Sequence, residues 1–160
     1  MMSKTDLYQQ AESRIAELVR DLDDPIAAMA STASVLHELL PAASWTGFYR
    51  VVAPELLRVG PYQGPVGCLE IAFGRGVCGA AARLRQSQVV KDVYDFEGHI
   101  ACDALARSEV VVPVFDVENT LVAVLDIDSH EPAAFDDTDR AALERIVELL
   151  RPCFDTSDPL

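Results

Sequence analysis

The feature that most constrains the fold is a pair of nearly continuous apolar segments, 110–115 and 121–127, joined around Glu118-Asn119. A strand with one face in water alternates apolar and polar residues, whereas a strand covered on both faces is apolar throughout. Both segments show the second pattern. We therefore predict two neighbouring strands inside a sheet that other elements cover on both faces.

Three longer segments have the spacing of helices that could cover such a sheet. The first, 5–20, places Leu7, Ala11, Ile15 and Leu18 on one face. The second runs from an N-cap at Asp24, followed by proline, to about residue 40. The third covers 136–151 and begins at an acidic cap.

The middle of the chain predicts shorter elements. Strands are expected at 45–52, 56–59, 68–73 and 88–90, with turns at Gly60-Pro61 and Gly64-Pro65 and a short helix at 77–84. The segment 92–108 has no strong pattern, and long loops of this kind tend to bind ligands or carry catalytic residues. Together these elements predict an α+β domain with a mostly antiparallel sheet.

The composition narrows the class of protein. The chain has 160 residues, which suits one domain, and its 13 Lys and Arg against 26 Asp and Glu give a net charge of −13. A nucleic-acid-binding protein needs a basic surface, so we expect no nucleic-acid partner. The N-terminus lacks the apolar region of a secretory signal, and no apolar run approaches the roughly 20 residues of a membrane span. We expect a cytoplasmic protein with no membrane association.

Four cysteines, at 68, 78, 102 and 153, lack the spacing of a zinc site. In a cytosolic chain they are either buried apolar residues or redox-active thiols. Cys102 lies in the 92–108 loop, where a thiol can react. Cys78 follows Arg75 at the start of a helix, and both features would favour its thiolate. Cys153 is given no role.

Three acidic residues are expected at adjacent strand ends. Asp126 and Asp128 alternate onto one face, and Glu109 opens the neighbouring strand. Such a group either faces solvent or surrounds a cation, which could be a substrate ammonium group or a hard metal ion. Trp45 and Tyr49 also share one strand face, either as core residues or as an aromatic wall against a sulfur or cationic group.

Five strings in order carry a family resemblance: SWTGFYR, GPYQGPVGC, FGRGVCGAAA, GHIACDALARSE and VAVLDIDS. Together they closely resemble the free methionine-(R)-sulfoxide reductases, which are built on a GAF domain. The resemblance runs from about Trp45 to the last helix. Two departures are mild: Gly67 replaces an expected alanine, which would loosen its loop, and the segment between Glu109 and Asp126 is one residue longer.

The resemblance implies a single GAF domain over 1–160, with a six-stranded antiparallel sheet, a catalytic core at about 45–130, and helices at 5–40 and 136–151 packed on the sheet. It implies a homodimer, a closed pocket for free methionine-(R)-sulfoxide, and thioredoxin as the external dithiol reductant. No resident cofactor or metal is expected.

The resemblance also assigns roles to residues. Cys102 matches the nucleophile, Cys68 the cysteine that resolves its sulfenic acid, and Cys78 a third cysteine that could act as a second resolver. Trp45 and Tyr49 match aromatic pocket residues. The matches to the carboxylates around the ammonium and sulfoxide groups are Glu109, Asp126 and Asp128. Protonation of the departing oxygen needs a carboxylic acid with a raised pKa, for which we favour Glu109, with Asp126 or Asp128 next.

Two other functions fit the same fold. A GAF sensor module would bind a small regulator without chemistry, although an anionic ligand would lie poorly among three acids. A structural dimerisation domain would keep its cysteines buried and protected from alkylation.

Overall fold

The computed structural model of the chain describes residues 1–100 and 102–154, and within them four α-helices surround one six-stranded sheet. The helices are α1 (Lys4–Val19), α2 (Pro25–Leu39), α3 (Gly76–Leu84) and α4 (Asp137–Leu150). The strands are β1 (Trp45–Ala53), β2 (Leu56–Gln63), β3 (Glu70–Ala72), β4 (Gln88–Val90), β5 (Ser108–Phe115) and β6 (Leu121–Ser129). Their order is β3-β2-β1-β6-β5-β4, and every pair is antiparallel. The expected six-stranded antiparallel α+β fold is confirmed.

The two apolar strands lie inside the sheet and are covered on both faces. Val110, Val112 and Val114 of β5 pack in a core with α1, α2 and α4. Val111, one position out of phase, packs in a second core with α3. Since strand side chains alternate between faces, this division confirms the prediction from the Val-rich pattern.

The helices α2 and α4 begin at the caps predicted for them, Asp24 and Asp136, and α1 begins at a cap that was not predicted, Ser3. Ser3 and Asp6 form a capping box at α1, and Asp136 and Asp139 form one at α4. Asp139 also accepts a hydrogen bond of 2.6 Å from the Tyr8 hydroxyl, which joins α1 to α4. The predicted inward face of α1 was partly wrong. Its buried residues are Tyr8, Ala11, Ile15 and Val19, and Leu18 is exposed.

The predicted turn at Gly60-Pro61 was also wrong, because β2 continues through it to Gln63. The register between β1 and β2 shifts at this point, between Gly47 and Tyr49. β3 pairs only with 56–58, so the outer edge of β2 at Pro61 needs no amide donor. A bulged edge strand is one of the few sheet positions that tolerates proline.

The turn at Gly64 is confirmed by its positive φ of 120°. β3 begins two residues after Cys68, which therefore lies in the loop before the strand rather than in the predicted strand 68–73. Among the described residues, no helix is both long and apolar enough to cross a membrane.

Candidate active site

A cavity of about 40 Å³ lies on the sheet face opposite α1, α2 and α4. It is bounded by β1, β5, β6, the start of α3, and the loops that precede β3 and β5. Seven of the eight predicted site residues line it: Trp45, Tyr49, Cys78, Cys102, Glu109, Asp126 and Asp128. The eighth, Cys68, is bonded to Cys102 in a disulfide. The structure thus brings together residues separated by up to 83 positions in the chain.

The disulfide joins two loops that lie 34 residues apart in sequence, with a Cα–Cα distance of 5.3 Å. The Cys68 loop is held by Trp45, whose Nε1 donates a hydrogen bond of 2.9 Å to the Pro65 carbonyl. In the other loop, the Asp103 carboxylate accepts a hydrogen bond from the Leu105 amide. Both sulfurs therefore lie in loops beside the sheet and not in its strands.

Cys78 does not have the environment that the sequence predicted. It lies in the first turn of α3 and is buried, and its Sγ donates a weak hydrogen bond of 3.9 Å to Glu109 Oε1. Burial, followed by the negative charges of Asp126 and Glu109, raises the pKa of this thiol well above its usual value. Arg75 is exposed and forms no salt bridge among the described residues. The expectation that Arg75 and the helix N-terminus favour a Cys78 thiolate was wrong.

The three acids lie at one end of β5 and β6, within the strands rather than after them. Glu109 is opposite Asp128 in the register, and Asp126 follows on the same face of β6. Glu109 and Asp126 are only 6% and 4% exposed. These values show that the cluster is not a solvated strand end.

Burial and mutual repulsion govern the protonation of these acids. Burial, then the charges of Asp126 and Asp128, raises the pKa of Glu109 well above its usual value. Burial raises the pKa of Asp126 from 3.8 to about 6, although hydrogen bonds to Glu109 and Cys78 oppose the shift. Burial and the charge of Asp126 also raise the pKa of Asp128. The cluster therefore holds protons that a bound reactant could accept.

Trp45 and Tyr49 line one side of the cavity, and Trp45 also stacks on Tyr62, which does not line it; we call these three rings the aromatic wall. The Trp45 ring stacks on Tyr49 at a centroid distance of 5.7 Å and on Tyr62 at 5.1 Å. Sequence reasoning missed Tyr62, which faces Gly47 across the β1–β2 pair. No sequence signal pairs these two residues; the structure shows why position 47 is glycine, since a Cβ there would lie 2.3 Å from Tyr62 Cβ.

Sequence reasoning also missed His99 and Ile100, which line the cavity from the loop before β5. The sequence signal was their proximity to Cys102, because in the string GHIACD they precede it by three and two residues. Burial lowers the pKa of His99, which favours its neutral form. Gly67 also lies here, and a Cβ at this position would be 3.1 Å from Tyr49 Oη, so an alanine would fit tightly.

Comparison with known proteins relates this arrangement to a family. The GAF domain model matches residues 17–153. The free methionine-R-sulfoxide reductase of Escherichia coli is 39% identical over 157 residues, which cover 98% of this chain and 94% of that protein. The chain belongs to the free methionine-R-sulfoxide reductase family of GAF domains.

Solved structures of relatives share the fold over nearly the whole chain. A free methionine-R-sulfoxide reductase from Neisseria meningitidis, solved in complex with its substrate, has a TM-score of 0.91 and 41% identity and covers 96% of this chain and 92% of its own. A structure described as a GAF sensor protein from Burkholderia vietnamiensis has a TM-score of 0.89 and 43% identity, with 94% of each chain covered. The fold implied by the five sequence strings is therefore confirmed for this reductase family member.

Proposed function

We propose that this protein reduces free L-methionine-(R)-sulfoxide to L-methionine through a cysteine sulfenic acid and an intramolecular disulfide. The observation that carries the proposal is the Cys68–Cys102 disulfide beside a cavity that contains three acids. Membership in the reductase family supports the same reaction.

In the first step, the Cys102 thiolate attacks the sulfoxide sulfur and the oxygen accepts a proton. The hydroxyl group then passes from the substrate sulfur to the Cys102 sulfur, and the bond between the two sulfurs breaks. Methionine leaves, reduced by two electrons, and Cys102, oxidised by two electrons, becomes a sulfenic acid. Glu109 is the proposed proton donor, because its raised pKa keeps a proton available on a buried carboxyl group.

In the second step, the Cys68 thiol condenses with the sulfenic acid, which forms the disulfide and releases water. Cys78 remains the candidate for a second resolver. An external dithiol then attacks the disulfide, is itself oxidised, and returns both cysteines to thiols. Exposed apolar residues next to the two cysteines, Val66, Leu69 and Leu105, support docking of a protein reductant, for which we propose thioredoxin.

Asp126 and Asp128 would also select a free amino acid over a residue within a peptide. Asp126 and Asp128 would bind the substrate ammonium group, while Trp45 and Tyr49 would contact the thioether chain. A residue inside a peptide has an uncharged amide nitrogen, so it would leave these buried acids without a counter-charge. We also propose a cytoplasmic homodimer with no resident cofactor.

The test is NADPH consumption in the presence of thioredoxin and its reductase, with each free sulfoxide epimer supplied separately. Turnover is expected with the R epimer and not with the S epimer or a peptide-linked sulfoxide. Cys102→Ser should abolish turnover, whereas Cys153→Ser, a buried thiol in the opposite core, should not change it. Binding of the R epimer without turnover would instead support a sensor module.

The resolving cysteine is tested separately by peptide mapping after a single turnover without reductant. A Cys68–Cys102 peptide is expected. A Cys78–Cys102 peptide as the main product would contradict the assignment of Cys68.

A further inference from the structure

A second kind of ligand fits the floor of the cavity. The Cys78 sulfur and one carboxylate oxygen from each of Glu109 and Asp126 all lie within 4.8 Å of one another. Each residue is at least nine-tenths buried. A set of one sulfur and two oxygens on three different elements, α3, β5 and β6, has the composition of a three-residue metal site with one open position.

Asp126 gives an independent indication of a missing ligand. Its Oδ1 atom is buried and accepts no hydrogen bond from the described residues. Neither Asp126 nor its neighbours Glu109 and Asp128 form a salt bridge in the described part of the chain. A buried carboxylate oxygen without a partner is costly, and a coordinated cation would satisfy it directly.

The ligand chemistry selects the cation. Mg²⁺ and Ca²⁺ prefer oxygen ligands alone, whereas Zn²⁺ accepts a thiolate together with carboxylates. With Zn–S and Zn–O bonds of about 2.3 and 2.0 Å, tetrahedral geometry separates the sulfur and oxygen by about 3.5 Å. The observed separation between Cys78 Sγ and Glu109 Oε1 is 3.9 Å, so a small side-chain adjustment would bring both atoms to one ion.

We propose that Cys78, Glu109 and Asp126 form a Zn²⁺ site at the floor of the cavity. The ion displaces the thiol and carboxyl protons and takes water or Asp128 as its fourth ligand. Because the same acids face the space proposed for the substrate ammonium group, Zn²⁺ and the amino acid exclude each other. This competition depends on the proposed function, whereas the metal site itself does not.

The site is tested on protein with the Cys68–Cys102 disulfide intact, so that Cys78 and Cys153 are the remaining thiols. Equilibrium dialysis with Zn²⁺ should give one ion per chain. Cys78→Ser should weaken binding at least about tenfold, because it removes a direct ligand. Cys153→Ser, which removes a buried thiol from the opposite core, should leave the affinity unchanged.

Two further measurements identify the ligands. Co²⁺, used as a spectroscopic probe, should give a sulfur-to-cobalt charge-transfer band that Cys78→Ser lacks. Asp126→Asn provides a second binding variant if Cys78→Ser does not fold, and it should weaken Zn²⁺ binding similarly. L-methionine should lower the apparent Zn²⁺ affinity in proportion to its concentration.

Undiminished Zn²⁺ binding by both Cys78→Ser and Asp126→Asn would overturn the proposal, as would the absence of a bound ion at micromolar Zn²⁺. A failure of the proposed function is distinguishable, since it would appear as no sulfoxide turnover in metal-free buffer whatever the Zn²⁺ result. If Zn²⁺ binds but L-methionine does not compete, the shared position of ion and ammonium group is wrong.

Discussion

Asp126→Asn is expected to stabilise the protein while it weakens substrate binding. Burial raises the pKa of Asp126 from 3.8 to about 6, which means that the folded structure disfavours the ionised form. The difference between a pKa of 3.8 and one of about 6, at about 1.4 kcal/mol for each tenfold change in the ionisation constant, corresponds to about 3 kcal/mol. Asparagine is neutral at every pH, so the substitution removes this cost.

The pH dependence of stability follows from the pH at which the folded and the unfolded chain each release the Asp126 proton. As the pH rises from 3.8 towards 6, the unfolded chain loses the Asp126 proton before the folded chain does, and the folded state loses stability. Above the folded pKa the penalty is complete. We therefore expect Asp126→Asn to gain up to about 3 kcal/mol near pH 7.5 and almost nothing near pH 4.

The assay is urea unfolding of the oxidised protein at both pH values, followed by circular dichroism. Glu118→Gln is the matched control, because it removes one carboxylate from an exposed position in the β5–β6 turn. Its free energy of unfolding should remain within about 0.5 kcal/mol of the parent at both pH values. A less stable Asp126→Asn near pH 7.5, or an equal gain at both pH values, would refute the reasoning.

Three other predictions concern the sulfurs, the proton donor and the aromatic wall. Reduction of the disulfide between Cys68 and Cys102, 34 residues apart, should lower the free energy of unfolding by up to about 4 kcal/mol in urea titrations, and Cys68→Ser should show no such change. Glu109→Gln should lower kcat about 100-fold or more with a smaller effect on KM, and a large KM effect with normal kcat would instead place Glu109 at the ammonium group. Gly47→Ala should lower the free energy of unfolding by about 1–3 kcal/mol in thermal unfolding and should raise KM, because its Cβ would collide with Tyr62. An unchanged KM would show that the aromatic wall does not contribute to substrate binding.

The sequence predicted the elements whose local pattern and tertiary role agree. Helix caps at Asp24 and Asp136 and the Val-rich strands each produce a signal within a few residues, and these elements lie where they were expected. The alternation of Asp126 and Asp128 likewise placed both acids on one face. Such features depend on neighbours along the chain, so a single sequence contains them.

The errors concern features that only the assembled sheet determines. Gly60-Pro61 has a local turn pattern, but the bulge between β1 and β2 and a free outer edge allow the strand to continue. Cys78 follows an arginine at a helix start, yet the acids that control its pKa come from β5 and β6. Tyr62 belongs to the aromatic wall because the strand register places it opposite Gly47. None of these relations is visible as a short-range pattern.

The placement of sulfurs in loops and acids on strands has a consequence for protein engineering. Glu109, Asp126 and Asp128, for which we propose binding and proton-donor roles, belong to the hydrogen-bonded ladder of β5 and β6, so they should keep their positions when the residues flanking Cys68 and Cys102 are exchanged. Under the proposed function, a library confined to 64–67 and 96–100 would therefore vary which oxidised side chains are accepted while retaining recognition of the amino-acid head group. Replacement of the three acids themselves would require compensating changes on both strands at once.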